Sequence, residues 1–339
     1  MGKLWLYPMT PSVKTDLTSI QMFEKGKAFE ALTDEISLAR LLKSDVKTLQ
    51  RWAEKPQYSQ FDIPKPGGAK RFIQNPVADL KDMQQRINLY LQCFYHYIKP
   101  PCAYGFILNA ADELKMRNIY TNAMQHINAQ WVLNMDIKDF FPSINSQMLH
   151  THLKELLGFS KPLLNLLIGL CTYRGRLPTG APTSPILSNL ICMDLDIKLQ
   201  SLARAYDAIY TRYADDITFS FPTKPAEEAQ AAICQILENQ NFTVNETKTQ
   251  LTPLSKNPEV TGLILKADKP DVSRSFIKDL KRDIKMWHWL QLEENLLRGF
   301  ATDKFMEKLH RSIMGQIQFV AFVRGKNDSK YLRLVGAMA

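Results

Sequence analysis

Two strand-like runs, AIYTRY ending at Tyr213 and ITFSF starting at Ile217, are separated only by Ala214, Asp215 and Asp216. Runs rich in β-branched and aromatic residues with so short a connection close as a hairpin. Any fold available to this chain must therefore carry acidic side chains at the tip of a tight hairpin. A third extended run, WVLNMDI from Trp131, brings in Asp136 at its end, 79 residues before Asp215. Hard divalent cations such as Mg²⁺ bind carboxylate oxygens and leave positions open for substrate phosphate. Two such ions about 4 Å apart activate an attacking hydroxyl and stabilise the leaving oxygen of a phosphoryl displacement. Alternate strand residues face opposite ways, so Asp215 and Asp216 reach one site together only if the turn redirects one of them. This ranks Asp136 and Asp215 above Asp216. Taken alone, an Asp-Asp pair is also what a solvated hairpin tip looks like, and its context has to decide.

That context is a globular chain. Its 339 residues, 45% hydrophobic and 23% charged, bury a sizeable core in two or three lobes and exclude disordered and fibrous classes. Residues 28–60 carry Leu38, Leu41, Leu42, Val46, Leu49 and Trp52 near helical spacing. Gly67-Gly68 between IPKP and AKRFI then marks a second hairpin, a β-flap. From Trp131 to about Leu265 the pattern is α+β, ending in a strand around Phe242–Leu251. Pro185 after Thr183-Ser184 opens one long predicted helix, PILSNLICMDLDIKLQSLARAY, and another starts near Pro225.

Charge points to the partner. Lys+Arg 43 against Asp+Glu 34 gives +9, which favours polyanions, with nucleic acid ahead of membrane lipid. Residues 271–339 hold 13 basic and 8 acidic residues, +5 of that surplus. Within them Lys278, Lys281, Arg282 and Lys285 recur as one helix face, with Ile277, Leu280, Ile284 and Trp287 in the opposite register. A solvated or membrane-surface helix has the same pattern. The 5 cysteines are scattered without metal or redox spacing. The N-terminal sequence has no secretion or lipid-anchor pattern, and the apolar run Leu163–Cys171 is too short for a membrane span. The expectation is a cytoplasmic protein with no membrane partner.

YADD (Tyr213 to Asp216), NMDIKDFF (Asn134 to Phe141) and LPTGAPTSPILSN (Leu177 to Asn189) resemble motifs C, A and B of reverse transcriptases and stand in the family's order, A, B, C. Asn122-Ala-Met-Gln-His126 and Val260-Thr261-Gly262 resemble the NAxxH element and VTG triplet of the bacterial retron branch. The resemblance implies an α+β right-hand polymerase: an N-terminal helical region (1–60), fingers with the β-flap (61–130), a ferredoxin-like palm (131–265) and a helical basic thumb (266–339). It implies RNA-templated DNA synthesis with two Mg²⁺ ions held by Asp136, Asp215 and Asp216, and deoxynucleoside triphosphates as substrates. Lys65, Lys70 and Arg71 on the flap resemble the basic fingertip over the triphosphate, with Arg71 the stronger candidate. Phe141 matches the side chain beneath the nucleotide sugar, and Tyr213, Thr179 and Gly180 belong to the same nucleotide pocket. Gly180 would let backbone approach substrate closely. Many relatives have Gln where this chain has Thr179, so the Gln contact does not carry over. Lys248 resembles the motif D lysine that protonates departing pyrophosphate, although a surface strand lysine reads alike. Asn122, His126, Val260, Thr261, Gly262 and the stripe Lys278, Lys281, Arg282, Lys285 are expected to contact RNA. The retron branch further implies a structured noncoding RNA as primer and template, synthesis from a 2′-hydroxyl to branched RNA–DNA, and antiphage defence with a separate effector protein. An intron-type or abortive-infection reverse transcriptase and a noncatalytic RNA-binding scaffold are the competing readings.

Overall fold

The structure is a computed structural model that describes residues 13–64, 68, 70–293 and 303–338. In chain order the elements are β1 (Val13–Lys14), α1 (Ser19–Glu30), α2 (Glu35–Leu41), α3 (Val46–Glu54), β2 (Tyr58–Pro64), β3 (Lys70–Pro76), α4 (Ala78–Ile98), β4 (Leu108–Asn109), α5 (Ile119–Met124) and β5 (Trp131–Asp136). There follow α6 (Phe140–Ser143), α7 (Ser146–Leu157), α8 (Lys161–Cys171), α9 (Ser184–Ile191), α10 (Met193–Ala205), β6 (Ile209–Tyr213), β7 (Asp216–Phe221) and α11 (Glu227–Asn239). The last part holds β8 (Gln250–Pro253), β9 (Glu259–Val260), β10 (Leu263–Leu265), β11 (Pro270–Asp271), α12 (Arg274–Glu293), α13 (Asp303–Arg324) and α14 (Ser329–Gly336).

The chain divides into two compact units that cut across the boundaries read from the sequence. The larger combines Ser12–Asn118 with Ala129–Pro253. Its centre is a four-stranded sheet in the order β6-β7-β5-β8, antiparallel throughout. One face is apolar, with Leu133, Met135, Tyr210, Ile217, Phe219 and Phe221 sharing a core with Leu195, Leu199 and Ala203 of α10 and Ile233 and Leu237 of α11. Each such Leu or Phe contributes roughly 1.5–3 kcal/mol on burial. The other face carries Asn134, Asp136, Tyr213, Asp216 and Thr218, as the ladder alternation requires.

The long helix predicted from Pro185 is two helices, because the chain turns at Cys192 between α9 and α10. Thr183 makes no side-chain cap at its start, and Ser184 Oγ instead donates to the carbonyl of Pro178 at 2.7 Å, tying the helix to the LPTG turn. That turn is held to the flap. The flap strands β2 and β3 pair from Tyr58↔Pro76 to Pro64↔Lys70, and Gln74 N–H donates to the Thr179 carbonyl at 2.8 Å. A Cβ on Gly180 would stand 2.9 Å from the Gln74 carbonyl oxygen, and its φ is +128°. The sequence suggests that the missing side chain of Gly180 makes room for substrate. In the structure β3 takes that space.

The smaller unit combines Ile119–Asn128 with Leu254–Ala339. Here α5 packs on the sheet β11-β10-β9, and α12, α13 and α14 close around Leu280, Ile284, Leu309, Ile313, Ile317, Val320 and Leu334. Buried Asp271 is bonded by Lys266 and by Arg324, the latter at 2.5 Å. Burial pushes its pKa up, but the two cations outweigh burial and hold it below the usual carboxylate range.

Gly180→Ala is expected to weaken the junction between the flap and the LPTG turn and to strain the backbone at once. DNA synthesis should fall, and stability measured by melting should drop by the roughly 1–3 kcal/mol of a strained substitution. Wild-type activity and melting together would show that the junction tolerates a methyl group.

Candidate active site

Strand β5 runs through the middle of the four-stranded sheet, so its last residue, Asp136, is firmly placed. Across β7 the ladder pairs Trp131↔Phe221 through Asp136↔Asp216, and on the other side β5 pairs with β8. Hairpin β6–β7 pairs Tyr213↔Asp216, leaving Ala214 and Asp215 as its loop. Ala214 has φ +61°, the left-handed region that a Cβ makes unfavourable. The Asp215 carbonyl then accepts from Ile137 N–H at 3.0 Å, which fastens the hairpin tip to the residue after Asp136.

Asp215 thus escapes strand alternation by lying in the turn, the exception that the sequence left open. Asp215 belongs to the turn, and Asp216, the first residue of β7, leaves the sheet on the face of Asp136. Asp136 is 7% exposed. Burial, and secondly the negative charge of Asp136, push the Asp215 carboxyl above its ordinary pKa. The fields of Lys248 and Arg71 act the other way. Asp216 is exposed.

Both Asp136 oxygens are engaged. Asn245 Nδ2 donates to Oδ1 at 3.1 Å and Lys248 Nζ to Oδ2 at 2.7 Å, while Asn245 N–H also holds the Asp136 carbonyl at 2.8 Å. Lys248 lies on a single 3-10 turn, Glu246–Lys248, rather than on the strand expected from the sequence. Burial lowers its pKa, but the bond to Asp136 and the acidic cluster raise it further, so it stays a cation. Its position makes it the charge partner of Asp136. Asn245 was missed in the sequence, where nothing in NETK distinguishes it.

Two neighbouring carboxylates, one of them raised by burial and by the other's charge, fit a hard divalent cation. Such an ion offers Asp215 the compensation that the fields of Lys248 and Arg71 leave incomplete, and carboxylate oxygen is the donor it favours. Among the described residues, no three His, Cys, Asp or Glu side chains gather as a ready-made ligand set.

The expected nucleotide contacts differ in their surroundings. Lys65 lies outside the described residues. Lys70 is exposed and 3.4 Å from Asp62, a salt bridge across the flap. Arg71 is exposed, and its charge reaches Asp215. Phe141 is half-buried, with its ring 5.8 Å from Phe106 and 5.6 Å from Phe140. Phe140 is in the core, against Phe242. Half-buried Tyr213 has its pKa raised by burial first and by Asp216 second. Thr179 is half-buried with its carbonyl spent on Gln74.

In the smaller unit, Asn122 and Val260 are 1% and 0% exposed and His126 is fully buried. Side chains without accessible surface cannot lie against RNA, which corrects that part of the expectation. Burial lowers the His126 pKa to about 3, so it packs as a neutral ring. In the two-residue turn between β9 and β10, Thr261 and Gly262 have φ +48° and +81°. Thr261 Oγ1 donates to the carbonyl of Ile119 at 3.2 Å, joining the turn to α5. On α12, Lys278, Lys281, Arg282 and Lys285 project away from buried Leu280 and Ile284, and all four are exposed. Arg282 is 2.8 Å from Asp279 and 3.5 Å from Asp283, so its charge is partly spent within the helix.

No helix among the described residues is long and apolar enough to cross a membrane. The family model described as "Reverse transcriptase (RNA-dependent DNA polymerase)" matches residues 63–265. The chain is 32% identical to the Retron Ec86 reverse transcriptase of Escherichia coli, over 80% of this chain and 83% of that protein. It is 26% identical to the Retron Ec48 reverse transcriptase of the same species over 82% of this chain and 70% of the relative. The Retron Mx162 reverse transcriptase of Myxococcus xanthus is 31% identical over 67% of this chain and 51% of its own length. With the motif A aspartate and the YADD hairpin joined in one α+β sheet, the chain belongs to the reverse transcriptase family, as a retron-type RNA-directed DNA polymerase.

Proposed function

We propose that this polymerase copies a structured noncoding RNA that is both template and primer, extending a 2′-hydroxyl to leave branched RNA–DNA. The observation that carries the polymerase chemistry is the meeting of Asp136 and Asp215 at the fastened hairpin tip, where burial and the charge of Asp136 push the Asp215 carboxyl above its ordinary pKa. Mg²⁺, as two ions, is the metal we assign; when bound it supplies the Lewis acidity that activates the hydroxyl and stabilises the leaving oxygen. Asp136 and Asp215 hold it, and Asp216 adds negative charge from the same face of the sheet. Lys248 balances Asp136 from the 3-10 turn. Arg71, whose field reaches Asp215, is placed to bind the triphosphate of an incoming deoxynucleotide. Phe141, braced by Phe106 and Phe140, presents a rigid ring where a ribose 2′-hydroxyl would have to fit. Branched priming, a role in antiphage defence and a separate effector protein rest on the likeness to retron enzymes and on the NAxxH and VTG elements. The cytoplasm is the compartment this function requires.

Asp215→Asn should abolish DNA synthesis on copurified RNA and leave RNA affinity unchanged, since it removes one charge from the metal pair and none from the basic helix. Synthesis at the parental rate would remove Asp215 from catalysis. With the active parent, the product should stay joined to RNA until a 2′–5′ debranching enzyme is added. DNA released without debranching would favour an intron-type or abortive-infection enzyme.

The stripe on α12 is assigned to the RNA or RNA–DNA backbone. Replacing Lys278, Lys281 and Lys285 with Gln should flatten the log–log dependence of RNA affinity on salt by roughly 0.7–0.9 for each phosphate that is no longer neutralised. Arg282→Gln should change it less, because Asp279 and Asp283 already share that charge. An unchanged slope in the triple variant would turn the stripe away from nucleic acid.

A further inference from the structure

Arg212 is 0% exposed, on the apolar face of the sheet two residues before the Ala214–Asp215 loop. A buried guanidinium needs its donors satisfied, and here the partners come from α9, α10 and the Ala214–Asp215 loop. Its Nε and Nη2 donate to the two oxygens of Asp196 on α10 at 2.8 and 2.7 Å, a bidentate pair. Its Nη1 donates to Asn189 Oδ1 on α9 at 3.0 Å and to the Ala214 carbonyl at 3.2 Å. Tyr210 OH donates to Asp196 at 2.7 Å. The Ala214 carbonyl belongs to the peptide whose nitrogen is that of Asp215.

A second set of contacts grips the same loop from the other direction. Asn189 Nδ2 donates to the Gly105 carbonyl at 2.9 Å. Gly105 lies so close to the loop that a Cβ there would stand 2.4 Å from Ala214 N and 2.9 Å from the Tyr213 carbonyl carbon. The strand before the loop is bound to the same segment, with Arg212 N–H donating to the Cys102 carbonyl at 2.9 Å and Tyr104 N–H to the Arg212 carbonyl at 2.8 Å.

We propose that Arg212 and Asn189 are positioning residues for the metal-binding loop: anchored by Asp196, they fix the strained Ala214–Asp215 peptide and so set where the Asp215 carboxylate stands relative to Asp136. The strain makes the clamp necessary. A non-glycine residue at φ +61° persists only where its surroundings over-determine it. The two anchors also couple helices α9 and α10, which follow the LPTG turn, to the hairpin tip. Asn189 and Asp196 stand on either side of the Cys192 turn, and both aim at one guanidinium.

The inference rests on Asp215 being a metal ligand, so its test separates the two claims. Asp215→Asn is assayed first; if that variant synthesises DNA at the parental rate, the ligand assignment fails and the clamp positions nothing catalytic. Arg212→Lys keeps a charge for Asp196 but cannot reach Asp196, Asn189 and the Ala214 carbonyl together. Asn189→Ala uncovers no charge and carries the test if Arg212→Lys melts below the assay temperature. For whichever variant is folded, kcat should fall and the Mg²⁺ concentration giving half-maximal rate should rise, each by roughly 10–100-fold for Arg212→Lys and in the same direction for Asn189→Ala. RNA affinity should not change. A lowered melting temperature with the parental Mg²⁺ midpoint would show that the network is structural only and would overturn the proposal.

Discussion

The pairing of β5 with β7 is the constraint on which everything else depends. Six residue pairs, from Trp131↔Phe221 to Asp136↔Asp216, set the register. A slip of one residue would turn Leu133, Met135, Ile217 and Phe219 out of the core and swing Asp136 to the wrong face. The apolar half of the ladder thus enforces the position of the acidic half. Hydrophobic burial, which has no direction of its own, is converted by strand alternation into the placement of a carboxylate. The loop bond from Ile137 to the Asp215 carbonyl carries that placement to the neighbouring hairpin.

Much of this was legible in the sequence because it is local. The AIYTRY and ITFSF runs, the extended WVLNMDI and the runs flanking Gly67-Gly68 became β6, β7, β5 and the flap. The basic and apolar registers of α12 separated as their spacing required, with Leu280 and Ile284 inside. What the sequence did not reveal depends on partners far along the chain. Arg212 in a strand reads as a surface cation, and only Asp196 and Asn189 from the preceding helices make its burial tolerable. Along PILSNLICMDLDIKLQSLARAY nothing separates Asn189 and Asp196 from the polar neighbours Ser188, Asp194 and Lys198. Gly180 signalled a close approach, but β3 rather than substrate makes it. Asn122 and His126 were visible as a motif, yet a motif does not reveal that its side chains point inward.

Electrostatics divides the labour between the two units. In the larger one, negative charge is concentrated at Asp136, Asp215 and Asp216 and is answered locally by Lys248 and by the field of Arg71. In the smaller one, α12 offers a row of cations, of which Arg282 is tied to two acidic neighbours. The proposed function uses both: a compact anionic pocket for metal and triphosphate chemistry, and a diffuse cationic surface for a backbone of phosphates. The buried Asp196–Arg212 pair serves neither role directly. Such pairs are poor sources of stability, and its presence beneath the hairpin tip is explained by geometry.

The central claim is that folding brings Asp136 and Asp215 together to hold the metal that drives DNA synthesis. The most direct measurement is anomalous diffraction from Mn²⁺ in crystals of the protein with its copurified RNA and a non-hydrolysable deoxynucleotide. The account predicts metal peaks bonded to the carboxylates of Asp136 and Asp215. Peaks bound elsewhere, with neither carboxylate as a ligand, would contradict it.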